Sequence, residues 1–367
     1  MIWLTWRQSR LKAVSAAVIL AAFAVLLAVT GPHLASLYAG SSIGSCRGSN
    51  YDCSGHADDF LQQLYGSSLT GASSVDGTGT YWLLYLLGIV ITLLAPAVIG
   101  IFWGAPLIAS EFEARTHYLA WNQSITRTRW LAVKLTLTGL AAMAVTEALS
   151  LMQAWWAAPI FRTVARGAAA TPLAMNQFSP LVFATHGITP LGYAAFAFAL
   201  GVTVGVLVPR AVPAMALTLA VFAVIQVVMP LWVRPQLFPP DHAVTTFSSF
   251  TGVDVPIENG TFTLIPSGWD SQPEGWVLSS GAVNTAGRQI SAVPPACMQV
   301  AGMQVTGGKA NHPALLDCLA GHGIRVAVTY QPASRYWAFQ GTETAIYVAL
   351  ALALAGYCFW RLNRRLS

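Results

Sequence analysis

The sequence predicts an α-helical polytopic membrane protein with six transmembrane helices and a small α+β domain outside the membrane, between the fifth and sixth helices. Composition is the first reason. Of the 367 residues, 55% are hydrophobic and only 9% are charged, whereas soluble globular proteins carry about 25% charged residues. The second reason is that six apolar runs, each long enough to cross a bilayer as a helix, alternate with polar segments. A soluble globular protein is therefore excluded.

The predicted spans follow one another with polar connections. They cover residues 13–30, 81–109, 130–158, 181–208, 211–232 and 340–360. The first span is expected to be retained, because it is rather long for a signal-peptide core and no small-residue cleavage site follows it. Residues 1–12 carry Trp3, Trp6 and three basic residues, which fits a cytoplasmic interfacial helix or, equally well, the positive flank of the first span. Residues 361–367 form a tail.

The longest polar stretch, residues 234–339, separates the fifth span from the sixth and is rich in Gly, Pro, Ser and Thr. Two runs of short alternating character, residues 261–265 and residues 324–330, predict strands. Residues 313–321 predict a short helix. This stretch is the expected α+β domain, and its small core predicts that covalent links help to hold it together.

The distribution of basic residues predicts the orientation. Of the 19 Lys and Arg residues, 11 lie in short segments that six spans would place on one side of the membrane. The other basic residues are spread over much longer segments. Because short basic loops remain in the cytoplasm, both termini are expected there. The 11 residues are Arg7, Arg10, Lys12, Arg115, Arg127, Arg129, Lys134, Arg210, Arg361, Arg364 and Arg365.

The cysteines agree with this orientation. Cys46 and Cys53 fall in the first outside loop, and Cys297 and Cys318 fall in the outside domain. Two cysteines in each region fit two disulfides, Cys46–Cys53 and Cys297–Cys318, in an oxidising compartment. A rival hypothesis is a zinc site, and its ligands would be Cys297, His312, Cys318 and His322. Zinc is disfavoured because this region has no Cys-x-x-Cys pair.

Motifs for nucleotide binding and for hydrolytic catalysis are missing. The nearest approach to a phosphate-binding loop is Gly307-Gly-Lys-Ala, which lacks the Ser or Thr that would hold magnesium and has Met303 at the upstream glycine position. The sequence contains neither His-Glu-x-x-His nor Gly-x-Ser-x-Gly. The chain is therefore expected to bind no cofactor or metal and to have no catalytic residues of its own.

The polar segment between the second and third spans, residues 110–129, is unusually rich in charge for this chain. Its carboxylates, Glu111 and Glu113, can accept hydrogen bonds from Arg or Lys of a partner. Its guanidinium groups, Arg127 and Arg129, can pair with lipid phosphate or with a partner's carboxylate. On these residues alone, anchoring of the segment at the lipid head groups is the better interpretation.

Two stretches around this segment resemble a known family. They are Ala109-Ser-Glu-Phe-Glu-Ala-Arg-Thr and Ser124-Ile-Thr-Arg-Thr-Arg-Trp-Leu-Ala-Val-Lys. Together they resemble the region between the second and third spans of permeases of type-2 ABC exporters. In that family an acidic turn ending in Thr precedes a Thr/Ser-Arg-x-x-Trp-x-x-x-Lys step into the third span. The stretches 1–8 and 330–343 resemble a subgroup from high-GC Gram-positive bacteria.

The resemblance implies a role for this segment and for the whole chain. The segment would be a coupling helix that docks on an ATPase subunit, through Glu111, Glu113, Thr116, Arg127, Arg129, Trp130 and Lys134. The chain would work with two copies of a separate ABC ATPase, which would hold ATP and Mg²⁺, and with a second permease chain, identical or paralogous. It would lie in the bacterial cytoplasmic membrane, contact lipid but no nucleic acid, and export a drug, an antibiotic or a lipid.

Glu147 is the only carboxylate that the prediction places well inside a span. A carboxylate at that depth is costly and usually faces a cavity or a partner. Binding of a cationic substrate and a hydrogen bond to another span are equally acceptable explanations. The candidate substrate pathway, for a hydrophobic or amphipathic molecule, consists of Met143, Glu147, Gln153, Phe196 and Gln226.

A second class of function remains open from the sequence. The chain would then be a membrane sensor or an assembly protein, whose outside domain binds a ligand or a cell-wall component and whose cytoplasmic segment signals. Dependence on an ATPase partner separates this hypothesis from the exporter.

Overall fold

The computed structural model describes most of the chain. The described residues are 2–43, 50–66, 79–113, 127–166, 175–246, 250–254, 257–258, 261–262, 265–269, 275–290, 294–300 and 312–364. Six helices in this part are long and apolar enough to cross a membrane, which confirms the predicted architecture. Their apolar parts are Lys12–Gly40, Thr80–Ser110, Arg129–Val164, Thr189–Leu207, Ala211–Gln236 and Ala333–Arg361.

The helices are numbered here in chain order. They are α1 (Ile2–Gly40), α2 (Asn50–Gly66), α3 (Thr80–Ile99), α4 (Ala105–Glu113), α5 (Arg127–Val164), α6 (Pro180–Thr185), α7 (Thr189–Leu207), α8 (Ala211–Val228), α9 (Pro295–Val300), α10 (His312–Gly321) and α11 (Tyr336–Arg364). A π-helical turn, Gly100–Gly104, joins α3 to α4. A second π-helical turn, Met229–Val233, and the 3₁₀ turn Arg234–Gln236 extend α8. The 3₁₀ turn Ala333–Arg335 precedes α11.

The first and fourth spans differ most from the predicted ones. Helix α1 continues to Gly40, well past the predicted end of the first span, and Pro32 lies inside it. The predicted fourth span is divided into α6 and α7. Gly187, between them, has a φ of 74°, a left-handed conformation that ends α6, and Pro190 lies in the first turn of α7.

Helix α7 is the centre of the bundle. In its apolar window 83% of the residues are buried, against 17% in that of α1. Small residues allow this position, because they let neighbouring backbones approach closely. A Cβ added at Gly205 would lie 2.5 Å from the carbonyl oxygen of Ala105, and one added at Gly100 would lie 2.8 Å from that of Ala197. Backbone therefore meets backbone where α7 crosses the π-helical turn and α4.

The strands form three small antiparallel sheets. They are β1 (Asp241–Thr245), β2 (Phe250–Asp254), β3 (Ile257–Glu258), β4 (Thr261–Phe262), β5 (Ile265–Trp269), β6 (Trp276–Val283) and β7 (Arg325–Gln331). The largest sheet has the order β1-β7-β6, with Ala243 opposite Val328. Strand β7 and helix α10 match the strand and helix predicted near the end of the domain.

The predicted disulfide Cys297–Cys318 is present and joins α9 to α10. The Nδ1 atom of His322 lies 3.7 Å from each of the two sulfurs. Sulfurs joined in a disulfide are not thiolate ligands, so the disulfide is favoured over the rival zinc site. For the other predicted pair, Cys46 and the side chain of Cys53 lie outside the described residues.

An aromatic cluster fixes the domain on the bundle. Phe178 is in ring contact with Phe183, Trp276, Tyr336 and Phe339. These rings come from the segment before α6, from α6, from β6 and from α11. Large aromatic side chains bury much apolar area in few residues, so this cluster holds the sheet against the helix ends.

Candidate functional site

A buried ion pair lies where α8 ends and α11 begins. Nε of Arg234 donates to Oε2 of Glu343 at 2.8 Å, and Nη2 donates to Oε1 at 3.0 Å. The two side chains are 1% and 0% exposed. The hydroxyl of Tyr193 donates to the same carboxylate, and the guanidinium carbon lies 3.9 Å from the centre of the Phe183 ring. A bidentate pair of this kind joins α6, α7, α8 and α11 at one point.

At the helix break between α6 and α7, the side-chain amide of Gln340 makes most of the hydrogen bonds to the free backbone groups. Oε1 of Gln340 accepts from the backbone N–H of Thr189 at 2.9 Å and also from its hydroxyl. Nε2 of the same amide donates to the carbonyl oxygen of His186 at 3.0 Å. The hydroxyl of Ser150 donates to the carbonyl oxygen of Gly187 at 3.3 Å. Gln340 thus replaces the backbone partners that the interruption of the helix removes.

A groove of about 310 Å³ lies between α3, α6 and α8, and we call it the Arg234 groove. Its apolar walls include Leu93, Ala97, Leu181, Phe222 and Ala223. Its polar groups are Tyr193, Gln226 and Arg234. Oε1 of Gln226 accepts from the hydroxyl of Tyr347 at 3.0 Å. Nη1 of Arg234 is buried and has no hydrogen-bond partner among the described residues.

A second groove of about 420 Å³ lies between α1, α3 and α5, and we call it the α1 groove. Its walls include Ala16, Ile19, Val90, Val98 and Leu149. Ser15 contributes a hydroxyl, but this group already donates to the carbonyl oxygen of Lys12 at 2.9 Å. The α1 groove therefore offers an apolar surface with little capacity for specific hydrogen bonds.

The five predicted pathway residues lie on α5, α7 and α8. Of Met143, Glu147, Gln153, Phe196 and Gln226, only Gln226 lies in the wall of either groove. Gln153 is fully buried and packs on Gly88, and neither atom of its amide has a partner among the described residues. Oε2 of Glu147 is also buried without a partner there. Phe196 packs against Phe222 and Tyr347 in the core.

The predicted coupling residues fall into two groups. Glu113, at the end of α4, is exposed, and its Oε2 accepts from the backbone N–H of Ala211 at 3.2 Å. Arg129 is exposed as well. Trp130 and Lys134 are buried, and the Lys134 ammonium lies 4.5 Å from the centre of the Trp130 ring. Thr116 and the side chains of Glu111 and Arg127 lie outside the described residues.

The ion pair was not predicted from the sequence. The sequence predicts Arg234 at the start of the outside domain and Glu147 as the only carboxylate well inside a span. The structure adds that Glu343, the fourth residue of the predicted sixth span, is fully buried. Opposite charges at the facing ends of two consecutive spans are the signal that could have identified the pair.

Comparison with known proteins identifies the family. The family model described as "ABC-2 membrane transporter related" matches residues 17–234, more than half of the chain. This range includes five of the six apolar helices and the polar segment between the second and third. The comparisons with curated proteins and with solved structures gave no match. The chain belongs to the ABC-2 membrane transporter related family and is a multi-pass membrane protein of the ABC-2 permease type.

Proposed function

We propose that the chain is the permease subunit of an ATP-driven exporter that moves a hydrophobic or amphipathic molecule out of a bacterial cell. The family match over residues 17–234 carries this proposal. Membership of the family implies a transport subunit that has no nucleotide-binding domain of its own and works with an ATPase subunit. ATP and Mg²⁺ belong to that subunit, and two copies of it face the cytoplasm together with both termini of this chain.

The contact between α4 and α8 offers a route from the ATPase into the bundle. Glu113 is exposed and also accepts from the first backbone N–H of α8, so a force on residues 110–129 acts on both helices. Helix α4 lies against α7, where the carbonyl oxygen of Ala105 approaches Gly205. Close-packed backbones transmit displacement because no flexible side chain lies between them. ATPase closure would therefore shift α4, α8 and the central helix together.

The buried coupling residues support the same step in a different way. Trp130 packs with Ile108 and Leu131 in one cluster at the start of α5. Lys134 lies over its ring. Trp130 and Lys134 would hold the start of α5 against α4. The exposed Glu113 and Arg129 would contact the ATPase. A push on the segment then moves α4 and α5 as one unit.

The exposed face of α1 is one surface on which a second permease chain would pack. Val14, Val18, Val25 and Val29 recur at helical spacing, and each is at least 60% exposed. Such a stripe packs against lipid or against another helix. In the proposed exporter the partner is a second permease, either identical or paralogous.

Purification from a bacterial host that encodes the chain tests this function. The tagged chain is purified in mild detergent, and the co-purifying proteins and the ATPase activity are measured. We expect an ATP-binding subunit to co-purify, and the double variant Glu111→Ala/Glu113→Ala to release it or to uncouple its hydrolysis. The matched control Asp59→Ala/Asp317→Ala removes the same charge at exposed positions on α2 and α10. Purification without any ATPase would refute the exporter and favour a sensor whose outside domain binds a ligand.

A further inference from the structure

We propose that the disulfide Cys297–Cys318 of the α+β domain is a site of thiol–disulfide exchange, at which a small thiol attacks Cys318 while His322 stabilises the sulfur that Cys297 releases. This inference does not depend on the proposed transport. It rests on the unequal burial of the two cysteines, on one imidazole that lies beside both sulfurs and on the helix end that holds this imidazole.

The two halves of the disulfide differ in their access to solvent. Cys297, on α9, is fully buried, whereas Cys318, near the end of α10, is only partly buried. In thiol–disulfide exchange a thiolate attacks one sulfur and releases the other, and access helps to decide which sulfur is attacked. Attack on Cys318 is therefore favoured, and Cys297 becomes the leaving group. Its thiolate is then a charge in a buried place, which is costly unless a donor meets it.

An imidazole lies where this charge forms. Nδ1 of His322 is 3.7 Å from the sulfur of Cys297 and 3.7 Å from that of Cys318. The same nitrogen is 2.9 Å from the carbonyl oxygen of Cys318, and this oxygen can only accept, so Nδ1 carries the hydrogen. Hydrogen bonds to an ionised acceptor are about twice as strong as those between neutral groups. When the S–S bond breaks, this N–H can therefore donate to the Cys297 thiolate and stabilise it.

The end of α10 holds His322 in this position. The backbone N–H of His322 donates to the carbonyl oxygen of Cys318 at 3.1 Å, so the helical turn continues and places both side chains on one face. Gly323, the next residue, has a φ of 68°, the left-handed conformation that ends many helices. The N–H of Ile324 donates back to the carbonyl oxygen of Leu319 at 3.0 Å. The backbone thus fixes the imidazole beside the sulfurs before the disulfide is cleaved.

The exchange needs one co-reactant, a small thiol in its thiolate form. Its sulfur forms a bond to Sγ of Cys318, and the S–S bond breaks with its electron pair on Sγ of Cys297. Cys318 then carries a mixed disulfide, and the Cys297 thiolate accepts the hydrogen bond from Nδ1 of His322. No atom or electron is left over. While the mixed disulfide lasts, the covalent link between α9 and α10 is absent, so the thiol changes how these two helices are held together.

Mapping of the mixed disulfide on the purified full-length chain tests the direction of attack. The chain in detergent is treated with reduced glutathione, denatured in N-ethylmaleimide, digested and analysed by mass spectrometry. We expect about tenfold more glutathione on Cys318 than on Cys297, because only Cys318 has access to solvent. Glutathione mainly on Cys297, or equally on both cysteines, would overturn the proposal. This measurement uses the parent chain and needs no variant to fold.

Two substitutions of His322 test the role of the imidazole. His322→Leu removes the N–H, and we expect the rate of exchange with glutathione to fall about tenfold, the effect of one hydrogen bond to a charged group. His322→Asn has a side-chain N–H near the position of Nδ1 and should keep most of the rate. His242→Leu is the matched control, because His242 is exposed on β1 and lies 3.1 Å from the hydroxyl of Thr329. Its rate should equal that of the parent chain.

The outcomes separate a hydrogen bond from packing. Slow exchange in His322→Leu together with nearly normal exchange in His322→Asn supports the assignment. An unchanged rate in His322→Leu would overturn the role of the imidazole. Equal losses in both variants would also overturn it, since packing around the disulfide would then explain the rate. Rates are compared between variants that elute as the parent chain does in size-exclusion chromatography, and the adduct map of the parent chain decides the direction of attack in every case.

Discussion

The two ends of the helix bundle are built differently. At the end that carries the α+β domain, a buried ion pair, the Gln340 amide and an aromatic cluster join α6, α7, α8 and α11. At the opposite end, an apolar cluster that contains Ile108 and Trp130 packs α4 against α5, and the backbone N–H of Ala211 donates to the exposed Glu113. Buried polar groups therefore hold the domain end, whereas apolar packing and an exposed hydrogen bond hold the end where the polar segment lies.

This difference between the two ends is what a permease moved by a separate ATPase subunit would need. A force applied at the end that carries the polar segment would tilt helices about the domain end. Buried polar groups at the domain end resist separation, since parting them exposes charge to a medium of low polarity. The following expectations, ordered from the largest effect to the smallest, each alter one of the two ends or the contact between them.

Breaking the ion pair at the domain end should have the largest effect on stability. Glu343→Leu leaves the Arg234 guanidinium buried without its carboxylate, and we expect the free energy of unfolding to fall by about 3–5 kcal/mol. The measurement is thermal or denaturant unfolding in detergent. The double variant Arg234→Met/Glu343→Leu removes both charges and should recover most of the loss. A double variant as unstable as Glu343→Leu would show that packing, and not the charge, explains the effect.

Separating α7 from the turn between α3 and α4 should have the next largest effect. The Cβ of Gly201→Ala would overlap the carbonyl oxygen of Gly100, so the backbones must move apart. We expect a loss of about 1–3 kcal/mol, as for other overpacked sites. Gly356→Ala is the control, because a Cβ there meets no atom within 4 Å. If both variants unfold at the same temperature, the close approach has no role in stability.

Removing the amide that satisfies the helix break should cost about 1–2 kcal/mol. Gln340→Leu keeps the volume but leaves the N–H of Thr189 and the carbonyl oxygen of His186 without this partner. Hydrogen exchange at Thr189 measures the effect locally, and we expect it to become faster. Unchanged exchange would mean that other groups at the break replace the amide.

Altering the opposite end should change stability least and function most. For Glu113→Ala we expect a change in the free energy of unfolding within about 0.5 kcal/mol, because the side chain is exposed. In the complex, the stimulation of ATPase activity by substrate should be lost. Glu113→Gln keeps an acceptor for Ala211 without the charge. Full activity of both variants would remove Glu113 from the coupling step.

The sequence was sufficient for the parts of the fold that depend on local pattern. Apolar runs identified six spans, and two cysteines in one region identified the disulfide Cys297–Cys318. Hydropathy alone did not identify the ion pair, because Arg234 and Glu343 are 109 residues apart and hydropathy does not say which helix ends meet. The break at Gly187 was missed for a related reason. The apolar runs on either side were joined into one span despite His186, Gly187 and Pro190 between them. The hydrogen bonds that stabilise the break come from Gln340, on a distant helix.

The site residues stay a prediction, because the family match does not test them. The pattern around residues 110–134 predicts a coupling segment, but it could not tell exposed Glu113 and Arg129 from buried Trp130 and Lys134. The pathway residues were chosen for chemical type within spans. Their positions depend on helix rotation, which a short apolar run does not fix. Of the two described grooves, the Arg234 groove has one of these residues, Gln226, in its wall.

The π-helical turn between α3 and α4 sets the direction in which the side chains of α4, including Glu113, face. Within it the N–H of Ala105 bonds to the carbonyl oxygen of Gly100, five residues earlier, so the turn holds one residue more than an α-helix would. Each residue of an α-helix turns the chain by about 100°. Deleting one residue there would leave the chemistry of α4 intact but rotate Glu113 by that angle, away from Ala211. Chain length at residues 100–104 therefore decides which way Glu113, at the end of α4, faces.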